Sequence, residues 1–394
     1  MQLSPKFHQT EAFKKFWQQG NGKEMIAFSG AQPSLEGFEK YAHLYYHTDL
    51  AGDAAARETL MNMSFPAAMR MITAAAGENI SQESSLPPGL KHMLLQMQQE
   101  PAWLNRDLLE RGAELCRRAG LNALIVLRDF TLMGGYNYAY LNKPLIFTEA
   151  LKKGAVKRLT DTLDFWVNVT RQDALNTHGK GYAACVKTRV IHAYSRLMIQ
   201  EMIQDWDTRE WGKPINSWDM IATYIGFSLT FLLGLKKLNV RFSAEEEAGV
   251  FHLWKYIGYL LGIPAAYIPE NAKDATAQFY LWTSIQPVAD ADSVMLAHAL
   301  LNESLESTIY KYRYQRKRLR YLHICCNWFL LDKETNKRLN IPDVAFKKLF
   351  PSFLRSVNRN MQKLSREAQL KKGHNAQLKV LADYLRTAPE HFSA

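Results

Sequence analysis

Apolar side chains recur every three to four positions through most of the chain, with polar residues between them. This spacing places the apolar side chains on one face of a helix, whereas half-buried strands alternate at every second residue. The spacing predicts helices over residues 6–19, 34–50, 51–63, 91–99, 108–118, 154–170, 181–202, 217–235, 243–261, 274–283 and 290–307. Asn105 and Asp107 are candidate N-caps for the helix over residues 108–118, and the polar residues before a Pro-Pro-Gly breaker predict a loop over residues 79–90. Because no convincing run of alternating strands and no internal repeat accompanies them, we expect an all-α, multi-helix chain.

The longest apolar run, residues 221–235, is interrupted by Thr223, Ser228 and Thr230. It is shorter than the roughly 20 residues that a transmembrane helix needs, so we expect a buried helix there. The first 20 residues contain no apolar signal core and no twin-arginine pair. We therefore expect a cytoplasmic protein.

One predicted helix, residues 181–202, carries His192 at its centre. Cys185, Arg189, His192 and Arg196 are three or four residues apart and therefore share one face of this helix. Two interpretations fit such a histidine. It is a core side chain satisfied by a neighbour, or it is an axial haem ligand with arginines placed to meet anionic propionates. The helix alone does not decide between them.

A second motif lies upstream, where Arg158 and Thr162 stand four residues apart on another predicted helix. The sequence R-L-x-x-T here, followed by R-x-x-H-A-x-x-R around His192, resembles the latex-clearing protein and MpaB family of haem oxygenases. The segment 252–264 also looks like the helix that those proteins place after this pair. The resemblance covers roughly residues 100–300.

The resemblance implies an all-helical fold with a globin-like core and a haem b that is held without covalent attachment, since no C-x-x-C-H motif is present. It also implies an oxidoreductase that cleaves carbon–carbon double bonds of isoprenoids with dioxygen and gives carbonyl products. We expect a single helical domain over residues 1–394. Within it, an N-terminal helical extension (1–100) precedes the haem-binding core (101–300) and basic C-terminal helices (301–394).

The resemblance also implies roles for particular residues. His192 would bind the haem iron, and Arg189 and Arg196 would bind the cofactor through its propionates. The catalytic residues would be Arg158 and Thr162, on the opposite face of the macrocycle. A cation and a hydroxyl at that place can stabilise negative charge that develops on oxygen.

Two departures limit this transfer. Rubber-cleaving members of the family have a lysine beside the threonine that can bind the iron, and here that position is Asp161. They also have an upstream glutamate thought to act as a base. Glu149 is the sole acidic residue between Thr131 and Thr160, and its alignment is not established. We therefore expect a small unsaturated, apolar, isoprenoid-like substrate rather than solid rubber.

Composition excludes several other classes of protein. Hydrophobic residues make up 47% of the 394 residues and charged residues 22%, which excludes intrinsic disorder. The four cysteines form no C-x-x-C pair, which excludes zinc-ribbon and thioredoxin-like sites. We expect buried, reduced thiols.

Positive charge is concentrated at the C-terminal end of the chain. Residues 309–394 contain 19 Lys and Arg against 6 Asp and Glu, a net charge of +13, whereas the other residues sum to −2. A docked helix with a solvated basic face explains this charge, as would contact with haem propionates, with an anionic membrane surface or with an acidic partner. Nucleic acid has the least support, because no recognition motif accompanies the charge.

Three hypotheses for function remain open from the sequence. The chain is a haem b oxygenase, a non-enzymatic haem protein for sensing, storage or electron transfer, or a haem-free helical lipid-binding or scaffold protein. The sequence does not determine the oligomeric state, the substrate or a physiological reductant.

Overall fold

The computed structural model describes residues 4–8, 10–148 and 154–387. The helices of the N-terminal part are α1 (Glu11–Gln19), α2 (Asn21–Ser29), α3 (Phe38–Ala42), α4 (Leu50–Glu58), α5 (Phe65–Ala75), α6 (Pro88–Gln98) and α7 (Arg106–Arg118). Those of the middle part are α8 (Leu121–Val126), α9 (Met133–Gly135), α10 (Ala139–Phe147), α11 (Ala155–Val169), α12 (Lys180–Met202), α13 (Thr208–Trp211), α14 (Ser217–Ile225) and α15 (Phe231–Lys237).

The helices of the C-terminal part are α16 (Ala244–Leu260), α17 (Ala272–Thr283), α18 (Ala291–Glu306), α19 (Arg313–Leu330), α20 (Lys333–Arg338), α21 (Leu349–Met361) and α22 (Arg366–Thr387). No β-strand occurs in the part of the chain that the structure describes; an isolated bridge joins Tyr138 and Val288. The all-α prediction is confirmed.

Several helix boundaries follow from capping chemistry. Asn105 caps α7 by accepting a hydrogen bond from Leu108 N at 3.0 Å, as its position before an apolar-periodic run predicts. The loop predicted over residues 79–90 is shorter than expected, because Pro88 lies in the first turn of α6. Proline is well tolerated there, since the first turn does not use its missing N–H.

The helix predicted over residues 34–50 is also shorter in the structure. It is replaced by α3 and a 3₁₀ turn, His43–Tyr46, before the chain enters α4. The stretch Ser217–Lys237 is long and apolar enough to cross a membrane by length and composition, but 78% of its 18-residue apolar window is buried inside the protein. That burial agrees with the buried helix predicted over residues 221–235. All four cysteines are buried and free.

Two π-helical turns interrupt long helices and face each other. Leu127–Leu132 joins α8 to α9, and Gly226–Thr230 joins α14 to α15. The Thr131 hydroxyl donates to the Gly226 carbonyl across the gap at 3.1 Å. Single π-turns of this kind often lie at functional sites, because they redirect side chains from the regular helix surface.

Helix α12 is the centre of the packing, with α4, α5, α10, α11 and α16 around it. One face of it buries Cys185, Arg189 and Arg196, which belong to the face predicted from the sequence. His192 lies at the edge of this face and is only partly buried. The fold therefore holds the histidine-bearing helix on several sides while its histidine borders open space.

A close glycine contact joins α7 to α16. A Cβ atom on Gly112 would overlap the Gly249 carbonyl and lie 2.6 Å from Val250 N. We expect Gly112→Ala to lower the free energy of unfolding by about 1–3 kcal/mol through overpacking. Urea unfolding measures this change. Gly135→Ala is the matched control, because a Cβ there has no neighbour within 4 Å; equal midpoints for the two variants would contradict the close contact.

Candidate functional site

A cavity of about 1850 Å³ lies beside α12. Its walls come from α5, α10, α11, α12, α14, α16 and the two π-turns. Apolar and aromatic side chains dominate, among them Phe227 and Trp254, whose rings stack at 4.6 Å. Typical small-molecule pockets measure about 300–1,000 Å³. The cavity therefore has room for more than one small ligand.

His192 lines this cavity. Its Nδ1 is enclosed and has no hydrogen-bond partner among the described residues. Its Nε2 also makes no hydrogen bond among those residues but is not enclosed, so it is the ring nitrogen that remains accessible. Burial, reinforced by the Arg196 charge, lowers the pKa of His192 to about 4. The imidazole is therefore neutral at pH 7, the form in which histidine binds a metal.

A second, much smaller cavity also borders the His192 ring. It measures about 10 Å³ and is lined by polar groups that include Asp49, Arg189, Arg196 and Ser217. His192 therefore borders both a large apolar chamber and a compact polar cluster.

The polar cluster is built from two ion pairs between α12 and the start of α4. Arg189 donates from Nε and Nη2 to the two Asp49 oxygens, each at 2.7 Å. Arg196 donates to Asp53 Oδ1 from Nε at 2.8 Å and from Nη2 at 2.6 Å. Both arginines are buried. These charge-assisted, forked contacts fix α12 and therefore the His192 backbone.

The two arginines were predicted to bind haem propionates, and the structure places them elsewhere. Neither is among the residues that line the large cavity, and each has a carboxylate partner from α4. Their contact with a cofactor stays a prediction that this geometry does not favour. Asp49 and Asp53 were missed by sequence reasoning, because about 140 residues separate them from their partners.

Glycines make room for the Asp49 carboxylate. A Cβ on Gly52 would collide with it, and one on Gly262 would lie 2.5 Å from its Cγ. Gly262 follows α16 with φ +82°, in the left-handed region that glycine adopts readily. It lies in the segment 252–264 that the resemblance singled out, and its sequence signal was the Gly after an apolar run.

Arg158 and Thr162, the predicted catalytic residues, lie on α11 and line the same cavity as His192. The Arg158 guanidinium lies over the Tyr136 ring, 5.4 Å from its centroid, and forms no ion pair among the described residues. The Thr162 hydroxyl donates to the Arg158 carbonyl at 2.9 Å. The structure therefore brings a cation, a hydroxyl and a neutral imidazole to one chamber.

Asp161, which the resemblance places where rubber-cleaving members have a lysine, accepts hydrogen bonds from Lys157 at 2.8 and 3.0 Å. Its side chain is 62% exposed, so its charge stays hydrated and screened. Glu149, considered as a base, lies outside the described residues.

Asp219 is an acidic residue of the cavity wall that the sequence did not single out. It is buried, and it accepts hydrogen bonds from Trp282 Nε1 at 2.9 Å and from Asn216 Nδ2 at 2.7 Å. Burial raises the pKa of Asp219 to about 7, because desolvation outweighs these two hydrogen bonds. A carboxyl group that exchanges its proton near neutral pH therefore lies in the chamber. The N-cap Asn216 three residues earlier was the available signal.

The chain is similar to known oxygenases in sequence and to one solved structure in fold. The family described as "ER-bound oxygenase mpaB/B'/Rubber oxygenase, catalytic domain" matches residues 124–359. The rubber oxygenase of Streptomyces sp. (strain K30) is 24% identical over 197 residues, which are 49% of this chain and 47% of that protein. The match thus spans about half the length of that relative.

A solved structure of latex clearing protein LCP in the closed state aligns with a TM-score of 0.67 at 17% identity. The alignment covers 86% of this chain and 91% of that chain, and at this identity it shows a shared fold. Because the family match spans more than half of the sequence, the chain belongs to the mpaB and rubber oxygenase catalytic-domain family.

Proposed function

We propose that this protein is a haem b-dependent oxygenase that uses dioxygen to cleave a carbon–carbon double bond of a small, apolar, isoprenoid-like molecule. The observation that carries the proposal is the accessible Nε2 of a neutral His192 on the wall of a large apolar chamber that also contains Arg158 and Thr162. Family membership supports the oxygenase class.

The residues present fit a haem better than a metal ion held by protein ligands alone. Within the described residues, no group of three His, Cys, Asp or Glu side chains is placed to hold a metal ion. A macrocycle brings four ligands of its own and needs from the protein one axial donor and an apolar slot. His192 supplies the donor through its accessible Nε2, and the apolar and aromatic side chains of the cavity wall supply the slot.

The propionates of the haem would bind to cations at the cavity wall. Arg189 and Arg196 are already paired with carboxylates. Lys187 lies five residues before His192 on α12, lines the chamber and is partly buried, and Arg70 of α5 lines the chamber where it is exposed. Among the described residues neither has an ion-pair partner. These two cations are the groups we assign to the propionates.

When bound, the haem would supply an iron centre that activates dioxygen. The chain's own contribution is position and charge. The Arg158 cation stabilises negative charge that develops on the oxygen atoms, and the Thr162 hydroxyl adds a hydrogen bond when its O–H turns from the Arg158 carbonyl to the chamber. The aromatic wall, including Phe227 and Trp254, excludes water and holds an apolar chain beside them. Asp219 holds or releases a proton at its carboxyl group near neutral pH.

A chamber of this size and character favours an extended apolar substrate. The proposed reaction joins dioxygen to the two carbons of a double bond, the bond between them breaks, and each carbon leaves as a carbonyl. Both oxygen atoms enter the products, so no external reductant is consumed in the net reaction. The partners are therefore an unsaturated substrate and dioxygen.

Oxygen uptake tests this proposal. Haem-loaded protein is given squalene or its saturated counterpart squalane, and carbonyl products are trapped with a hydrazine. We expect uptake and carbonyl formation with the alkene alone. We expect Arg158→Ala to lower turnover about 100-fold, because one charge-stabilising group is lost, at unchanged haem content.

Arg209→Ala, which removes an exposed arginine outside the chamber, is the matched control and should keep full turnover. Haem-loaded protein that consumes no dioxygen with any alkene would contradict the oxygenase assignment. It would favour the sensing, storage or electron-transfer alternative.

A further inference from the structure

An exposed apolar stripe runs along the surface of α21. Leu349, Phe353 and Val357 are four residues apart and therefore lie on one face of this helix. Phe346 precedes the helix by three residues and is also exposed. Their exposed fractions are 66%, 61%, 38% and 76%, respectively. Large apolar side chains exposed in a continuous row mark an interaction surface more often than single ones do.

Packing on the opposite face fixes this orientation. Pro351 and Asn358 are the buried residues of α21. The Asn358 amide donates to the Leu238 carbonyl at 2.8 Å and to Asn122 Oδ1 at 2.8 Å, and it accepts from Asn122 at 3.0 Å. These polar contacts anchor the helix by its inner side. The apolar stripe therefore cannot turn inward without breaking buried hydrogen bonds.

The backbone at Phe346 gives an independent indication. Its φ is +54°, in the left-handed region that bulky residues rarely adopt. Glycine or asparagine would adopt it with less strain. Three quarters of the Phe346 residue is exposed, so burial of its side chain contributes little free energy to offset this strain. Such strain is typical of positions kept for a function.

Exposed basic side chains lie elsewhere on the surface of α21. Lys348, Arg355 and Arg359 are exposed. At 100° per residue, they lie roughly 120–160° around the helix from Phe353, the middle of the stripe. The C-terminal region to which they belong carries a net charge of +13. The helix thus combines an exposed apolar stripe with exposed cations on another part of its surface.

We propose that α21 and Phe346 form an interfacial helix that inserts its apolar stripe into the headgroup layer of an anionic bilayer. An amphipathic helix with aromatic and aliphatic residues on one face and basic residues on its polar surface binds anionic membranes in this way. Four side chains present much less area than the roughly 800 Å² per partner that a stable protein interface buries. Apolar substrates dissolve in bilayers, so the surface would hold the enzyme where such a substrate is found.

Cosedimentation of the full-length protein with vesicles tests this proposal. The vesicles contain phosphatidylcholine alone, or three parts of it with one part phosphatidylserine. We expect binding to the anionic vesicles, weakening at high salt. Leu349→Ser should weaken it about tenfold, because one inserted aliphatic side chain is lost. Leu50→Ser is the matched control, since Leu50 is 74% exposed on another surface, and it should bind as the wild type does.

Two double variants that each remove two positive charges distinguish binding through α21 from general attraction of a cationic protein to anionic vesicles. Arg355→Gln with Arg359→Gln should weaken binding, whereas Lys14→Gln with Lys15→Gln removes the same charge from α1 and should not.

Because all four native cysteines are buried, Phe353→Cys can be labelled selectively with an environment-sensitive dye. Its emission should shift to the blue with anionic vesicles.

Several results would overturn the proposal. They are equal binding to both lipids, no binding to either, an unshifted dye, or equal effects of Leu349→Ser and Leu50→Ser. Self-association of the wild type that Leu349→Ser abolishes would assign the stripe to a second copy of the chain instead. None of these outcomes depends on whether the protein turns over an alkene.

Discussion

Replacing His192 with alanine should abolish haem binding and leave the helical fold in place. The His192 ring lines the chamber and has an accessible Nε2, and its pKa of about 4 keeps it unprotonated at physiological pH. Alanine removes this donor. The lost volume opens into the existing chamber, so no buried partner is left unpaired. We expect no Soret band after haemin reconstitution, with an unchanged far-ultraviolet circular dichroism spectrum.

His178→Ala is the control for this experiment. His178 is exposed, lies in a turn with φ +73° and contacts Asn79 at 2.9 Å. It should bind haem as the wild type does. Retention of an unchanged Soret band in His192→Ala would remove His192 from the site, and loss of the band in His178→Ala alone would transfer the ligand assignment to that residue.

Replacing Asp49 with alanine should lower the free energy of unfolding by about 3 kcal/mol. Its carboxylate accepts a forked pair of hydrogen bonds from Arg189, whose side chain is only 7% exposed. Removal of one partner leaves a buried guanidinium without its counter-charge, which is far costlier than loss of an exposed ion pair. Denaturant unfolding measures the effect. Haem affinity should also fall, because α12 loses an ion pair one turn from His192.

The control is Asp343→Ala. Asp343 also pairs with a cation, Lys347, but its side chain is 66% exposed. Exposed pairs contribute about 0–1 kcal/mol. A double variant, Asp49→Ala with Arg189→Met, should recover part of the loss, because no buried charge then remains unpaired. Equal destabilisation by Asp49→Ala and Asp343→Ala would contradict the buried-pair account.

Local sequence chemistry was enough to predict the helical class, the Asn105 cap, the buried apolar helix and the buried cysteines. Each of these depends on residues within a few turns of one another. The motifs also selected His192, Arg158 and Thr162, which the structure brings to one cavity. Their roles toward a cofactor stay predictions, as do the single-domain layout and the cytoplasmic location.

The remaining features depend on contacts between distant parts of the chain. Nothing around Arg189 indicates that Asp49 rather than a cofactor is its partner, because any nearby anion satisfies a guanidinium. The π-turns at Leu127–Leu132 and Gly226–Thr230 have no propensity signal and follow from helix packing. In the sequence Asp219 is an ordinary polar residue; its raised pKa follows from burial, which outweighs the hydrogen bond from Trp282. The apolar stripe of α21 needed the structure to show that it faces outward.

The visible spectrum of the purified wild-type protein tests haem binding most directly. The protein is first reconstituted with haemin, and excess haemin is removed by gel filtration. Pyridine haemochrome analysis of the same sample gives the amount of haem b per chain. We expect a Soret band that coelutes with the protein, and one haem b per chain. A folded protein that retains no Soret absorbance after reconstitution would contradict it and favour a haem-free helical protein with α21 as its functional surface.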